Sequence, residues 1–245
     1  MLQIKRFNKK PVAYMQLFLL LLVLIVGTFT FTNSWFTPTA SATYIEGPIT
    51  QDTVWTLTDS PFVVSKNVTV YQDATLTIEP GVEIKFGGDF SLIVKGQLIA
   101  VGTQDKMITF TSNKEQPEPS DWNAIEFNGT QPSTLAYCSI EYAKNAITIK
   151  SANVKILNCE IGNNLQSSMT IESSTVEIKD STISNNYQDG IVIVDSFVEI
   201  QNNEIANNSQ SGICITGDNQ VAIQNNILTS NGKGILLTGN STTGV

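Results

Sequence analysis

The chain has 245 residues, 41% hydrophobic and 15% charged, enough apolar material for one domain with a sizeable core. Its formal net charge is −8, and beyond residue 42 ten Lys face 22 Asp and Glu, with no Arg and no His. An acidic chain without Arg argues against nucleic acid, whose binding rests on phosphate neutralisation; the acidity suits life outside the cell or affinity for cations.

Residues 1–42 read as a targeting segment. Lys5, Arg6, Lys9 and Lys10 form a positive flank, an apolar run extends from Pro11 to Phe31, and Ala40-Ser41-Ala42 supplies a small-x-small cleavage site before Thr43. The apolar run is long and lies some way from that site, so a retained signal-anchor stands beside a cleaved signal peptide. In both cases the basic flank stays inside and the rest of the chain is exported.

Residues 43–124 are expected to be β-structure of irregular period. Val70 and Leu92, Leu76 and Leu98, and Ile78 and Ala100 are each 22 residues apart. Asn113–Asp121 interrupts this pattern with two prolines and four charges and reads as a projecting loop. Trp122 follows it, and Trp55 precedes the first coils. A Trp beside a carboxylate, as in Asp121-Trp122, is a candidate sugar-stacking platform; packing on the flank of a coil is the competing reading.

Residues 125–245 carry a strict repeat. Phe127, Ile149, Ile171, Ile193, Ile215 and Leu237 are spaced by 22, as are Ile125, Ile147, Met169, Ile191, Ile213 and Ile235. A fixed period of this size marks a solenoid, in which each repeat buries its apolar edge only by stacking on its neighbours. Within each rung apolar and polar residues alternate, as in Ile147-Thr148-Ile149, which is strand rather than helix. A second strand recurs at Val154-Lys155-Ile156, Val176-Glu177-Ile178 and Val198-Glu199-Ile200, and a third at Ile161, Ile183, Ile205 and Ile227. Three short strands per turn predict an all-β, single-stranded parallel β-helix with coils about 4.8 Å apart, right-handed by the usual rule for parallel connections. Asn163, Asn185 and Asn207, each followed by another Asn, and Gly190, Gly212 and Gly234 are placed at corners, where Asn and Gly tolerate left-handed backbone. The rung Ile235–Leu237 is in register and Gly239-Asn240-Ser241-Thr242 begins another turn, yet no capping segment follows, so the helix is expected to be incomplete at the C-terminus.

The pattern I-x-N-N-x-x-x-G-I-x-I, seen from Ile205 to Ile215, resembles the right-handed parallel β-helix repeats of the pectin-lyase-like fold. The stretch Ala74–Phe86, with Gly96–Thr103 and Ile108–Ser112, is similar to the opening coils of β-helical prokaryotic cell-surface proteins. The broader group includes polysaccharide lyases and hydrolases, periplasmic copper-processing proteins and surface proteins, so the resemblance implies fold and location more than activity. For a pectate lyase it implies a catalytic Arg, and for a polygalacturonase-like hydrolase clustered Asp with a His; neither is present after residue 42. Copper would call for imidazole or clustered soft ligands, which are also missing.

Among the carboxylates the best pair is Glu177 and Glu199, one coil apart on the outward side of the second strand, with Lys155 on the preceding rung. Such a pair is expected to couple, leaving one member hard to ionise. It reads as a solvated charge ladder, a weak Ca²⁺-type site, or a catalytic pair, in falling order. Cys138 and Cys159 occupy equivalent places in adjacent coils, as a disulfide or as two packed thiols. Sequons at Asn67, Asn128, Asn207 and Asn240 permit glycosylation. The reading is an exported surface or secreted β-helix, structural, adhesive or polysaccharide-binding, whose partners are polysaccharide or surface components. The alternative is a carbohydrate-active enzyme of the same fold.

Overall fold

In a computed structural model, residues 41–239 and 242–244 are described; the targeting segment and the Asn240 sequon lie outside them. Residues 40–245 form one compact unit, with a core running from Ile49 to Ile223.

The chain winds as a right-handed parallel β-helix of about nine turns. Three parallel sheets make its walls: sheet A has nine strands, from Thr43–Ile45 to Ile227–Thr229; sheet B eight, from Val68–Val70 to Lys233–Thr238; and sheet C nine, from Thr53–Trp55 to Thr242–Gly244. One coil shows the plan: Glu160–Gly162 in sheet A, Met169–Glu172 in sheet B, Thr175–Lys179 in sheet C, then Thr182–Ser184 back in sheet A. Alternation sends one face of each strand inward, so Ile147, Met169, Ile191 and Ile213 stack in register and are fully buried. Each such side chain contributes about 1.5–3 kcal/mol on leaving water.

In the regular coils after Ser120 the three corners share one device. A residue with positive φ makes the bend, and the next residue points inward and accepts a backbone N–H from the coil before. At the A-to-B corner Asn163, Asn185 and Asn207 take the left-handed conformation. Asn164, Asn186, Asn208 and Asn231 then form a ladder, with Nδ2 of each donating to Oδ1 of the next at 2.8–2.9 Å. At the B-to-C corner Ala152 N–H donates to Ser174 Oγ, Ser174 to Ser196 and Ser196 to Asn219. At the C-to-A corner Cys159 donates to Ser181, Ser181 to Asn203 and Asn203 to Asn226. Buried backbone groups must be paired, and these columns pair them where the sheets cannot.

The expectation of left-handed glycines at Gly190, Gly212 and Gly234 fails; the positive-φ glycines among the described residues are Gly81, Gly217 and Gly239. Gly190 is there for space: a Cβ would lie 2.5 Å from Gly212 O.

Two of the pairings expected at 22 residues, Val70 with Leu92 and Ile205 with Ile227, also differ. Leu92 pairs with Val68 and Val94 with Val70, a 24-residue offset, because the corner between Phe86 and Leu92 is longer by two residues. A slip of two keeps each side chain on its own face, so the core is undisturbed. At Gly217-Asp218 one residue is added, so Ile205 pairs with Leu228, while Ile227 sits opposite Glu204 and is 60% exposed. The odd slip turns Ile227 outward and Leu228 inward; one residue fewer before Lys233 restores Ile213 opposite Ile235.

Candidate functional site

The Glu177 and Glu199 pair is where expected, in register on the outer face of sheet C, but it does not behave as a coupled acid pair. Lys179 lies between the two, 2.9 Å from Glu177 and 3.5 Å from Glu199, and Lys155 reaches Glu177 from the other side at 3.2 Å. The Lys179 ammonium, and after it Lys155, holds Glu177 below the usual carboxylate range despite partial burial. The expectation of a carboxyl that resists ionisation is therefore corrected: the lysines cancel the repulsion, and the row is a ladder of alternating charge.

Asp121 and Trp122 are corrected as a sugar platform. Trp122 is 0% exposed, stacked on Phe86 with centroids 4.1 Å apart, and its Nε1–H donates to Glu141 O at 2.8 Å. A buried ring offers no face to a ligand. Trp55 is buried as well, stacked on Phe62. Asp121 is buried and anchors the loop, accepting from Ser112 Oγ, Lys114 Nζ and Glu118 N–H. Burial works against its ionisation, but the bonds from Lys114, Glu118 N–H and Ser112 outweigh it and lower its pKa.

Cys138 and Cys159 are free, buried thiols at the head of the C-to-A ladder, in the places that Ser181, Asn203 and Asn226 fill in later coils. Burial pushes the Cys138 thiol up. Asn67, Asn128 and Asn207 are exposed, although Asn67 Oδ1 already accepts Ser91 N–H at 2.9 Å. Among the described residues no group of three or more Cys, Asp or Glu could hold a metal ion.

A different row concentrates unspent hydrogen-bonding capacity. At the A-to-B corner, just before sheet B, Asn123, Asn145, Ser167, Asp189 and Ser211 repeat at 22-residue intervals. Beside them Gln166, Gln188 and Gln210 form a ridge, tied to its neighbours by Gln166 N–H to Lys144 O and Gln210 N–H to Gln188 O. Tyr187, 61% exposed, stands on that ridge. On the other side run the outward residues of sheet B, Thr148, Thr170, Val192 and Cys214. A hollow of about 400 Å³ opens here, lined by Asp189, Gln210, Ser211, Cys214, Lys233 and Leu236. Asp189 is only 9% exposed and accepts Ser211 N–H on Oδ1 at 2.7 Å. Asn145 donates through Nδ2 to Thr148 and Thr170, while its Oδ1 is buried without a partner. A larger hollow of about 500 Å³ on sheet C, around Phe197, Val221 and Ala222, is mostly apolar and borders Thr242, next to the undescribed residues 240 and 241.

The sequence reading passed over this row. Its signal was the Gln-x-x triplet at 166, 188 and 210, whose middle residue is Ser in two coils and Asp in one.

The model of the right handed beta helix region matches residues 99–245, and that of the pectate-lyase like beta helix domain matches residues 47–136. Protein bark beetle of Drosophila melanogaster is 38% identical over 77 residues, 30% of this chain and 2% of that much longer protein. Among solved structures the chain is similar to the periplasmic alginate epimerase AlgG, with 9% identity and a TM-score of 0.35 over 80% of this chain and 73% of that one. It is also similar to the A-module of the Azotobacter vinelandii mannuronan C-5 epimerase AlgE4, with 10% identity and a TM-score of 0.30 over 84% and 91%.

Proposed function

The chain belongs to the right-handed β-helix family, and from that premise we propose that it is an exported surface or secreted scaffold that binds polysaccharide along its outer wall. The observation that carries this reading is the polar row beside sheet B. Hydrogen-bonding side chains recur there once per coil along the helix axis, the arrangement a polymeric ligand can follow. Export rests on the sequence of residues 1–42. The enzymatic alternative asks for an acid whose pKa is raised to keep its proton. Glu177, the best-placed carboxylate for that part, is shifted the other way by Lys179.

A glycan array probed with the chain from Thr43 onward, with and without Ca²⁺, tests the binding reading. An assay for unsaturated uronide released from pectate and alginate tests the enzymatic one. Binding without product is expected. An empty array would overturn the proposal, and so would product formation abolished by Glu177→Ala or Glu199→Ala. Cys138 and Cys159 either stay as the packed thiols of the structure or, in an oxidising compartment, close as an inter-coil disulfide. The unreduced chain would then be lighter by two hydrogens, and an unchanged mass would dismiss the bond.

A further inference from the structure

We infer that the hollow at Asp189 binds the hydroxyl groups of an uncharged sugar chain and discriminates against polyuronates. The inference rests on the polysaccharide-binding reading and adds to it the place and the ligand class.

Asp189 is nine-tenths buried and lines the hollow, with one oxygen taken by Ser211 N–H. Its other oxygen has no hydrogen-bond partner among the described residues. The buried Asp121 is different, because Ser112, Lys114 and Glu118 occupy its oxygens. The buried side chains that cap backbone N–H groups in the corner ladders are neutral Asn and Ser. A neutral Asn or Ser would have capped Ser211 equally well, so the charge at position 189 has no structural task. The free oxygen is open to the hollow, where a ligand's donor can replace water.

The vacant position at Asp189 is an acceptor, so the ligand that fits must bring a donor to the hollow. Sugar hydroxyls do this. A uronate replaces one hydroxyl-bearing carbon per residue with a carboxylate, which has no proton to give and would stand against Asp189 in a partly desolvated hollow. A divalent cation fits poorly too. Calcium takes six to eight oxygens, whereas Asp189 is the one carboxylate here and Lys233 lines the same hollow. Gln210 of the glutamine ridge lines the hollow and adds a donor and an acceptor, and Tyr187 on the same ridge carries an exposed ring.

The test measures binding of a neutral β-linked hexasaccharide of glucose or mannose, and of a mannuronate hexamer, to the chain from Thr43 and to its Asp189→Asn variant. The substitution keeps an amide oxygen for Ser211 N–H, so the corner survives, while the vacant acceptor becomes an N–H₂ donor. The neutral chain should bind about tenfold or more tightly than the uronate, and Asp189→Asn should weaken it by a similar factor with melting temperature unchanged. Equal or tighter uronate binding would overturn the inference. Neutral binding unaffected by Asp189→Asn would overturn the location while leaving the proposed function standing. Failure of both hexamers alongside an empty glycan array would overturn both.

Discussion

The regular coils after Ser120 and the opening coils before it share one core but hold their corners differently. All fourteen described non-glycine residues with positive φ lie at or after Ser120. There the corner columns recur with each turn, and a ladder serves every coil. In the opening coils each corner is settled singly: Asp52 accepts Thr75 N–H, Ser60 accepts Glu83 N–H, Asn67 accepts Ser91 N–H, and Glu79 reaches back to Leu57 N–H. Large rings, Trp55 on Phe62 and Phe86 on Trp122, fill what uniform rungs of Ile fill later. Core stacking thus tolerates an irregular period, provided slips are even or repaired, and the corner ladders run unbroken through steps of 21, 22 and 23 residues.

The largest test of that contrast attacks the part both regions share. Ile193→Asp places an unpaired charge between stacked coils and should cost at least about 4 kcal/mol or prevent folding. Thermal or urea unfolding checks it. A mild loss would mean that the inward face has been misassigned.

Next in size is the ladder itself. Asn186→Ala removes the acceptor of Asn164 N–H and Nδ2–H together. It should cost about 2–4 kcal/mol, whereas Asn67→Ala, which orphans the single N–H of Ser91, should cost about 1 kcal/mol. Equal losses in urea titrations would show that the columns are no stronger than isolated caps.

At the boundary between the regions, Asp121 ties down the Asn113–Asp121 loop. Its carboxyl titrates below the ordinary 3.8. A depressed folded value means stability that is present above the ordinary value and lost as pH falls through the folded one. The melting-temperature advantage of the native chain over Asp121→Asn should therefore hold at neutral pH and shrink below about pH 4. A gap that widened on acidification would reverse the sign of the shift.

The smallest effect belongs to the outward ladder. Glu199→Ala breaks one 3.5 Å contact with Lys179 and a bond from Gln201, both near the surface. It should change stability by no more than about 0.5 kcal/mol. A loss approaching that of Asn186→Ala would make the outer face a structural partner of the corners.

What the sequence determined by itself was the inward half of the molecule. Apolar residues at a fixed period, three short alternating strands per turn and Asn at two successive corner positions specify the coil, its walls and its core. Those features are local and repeat, and burial leaves them little freedom. The tertiary structure alone decided the matters that depend on neighbours from other coils. Ile227 and Leu228 are equally apolar in sequence, and only the extra residue at Gly217-Asp218 shows which one faces in. Trp122 beside Asp121 looks like a platform until Phe86, 36 positions earlier, is found stacked on it. Glu177 and Glu199 look like an acid pair until Lys179, on the Glu177 strand, reaches both. Asp189 is one Asp among many in the sequence. It becomes a candidate for binding only because stacking buries it, Ser211 takes one of its oxygens, and the side chain lines the hollow beside sheet B. Outward side chains are not constrained by a shared core, so their partners are set by which coils come to lie side by side.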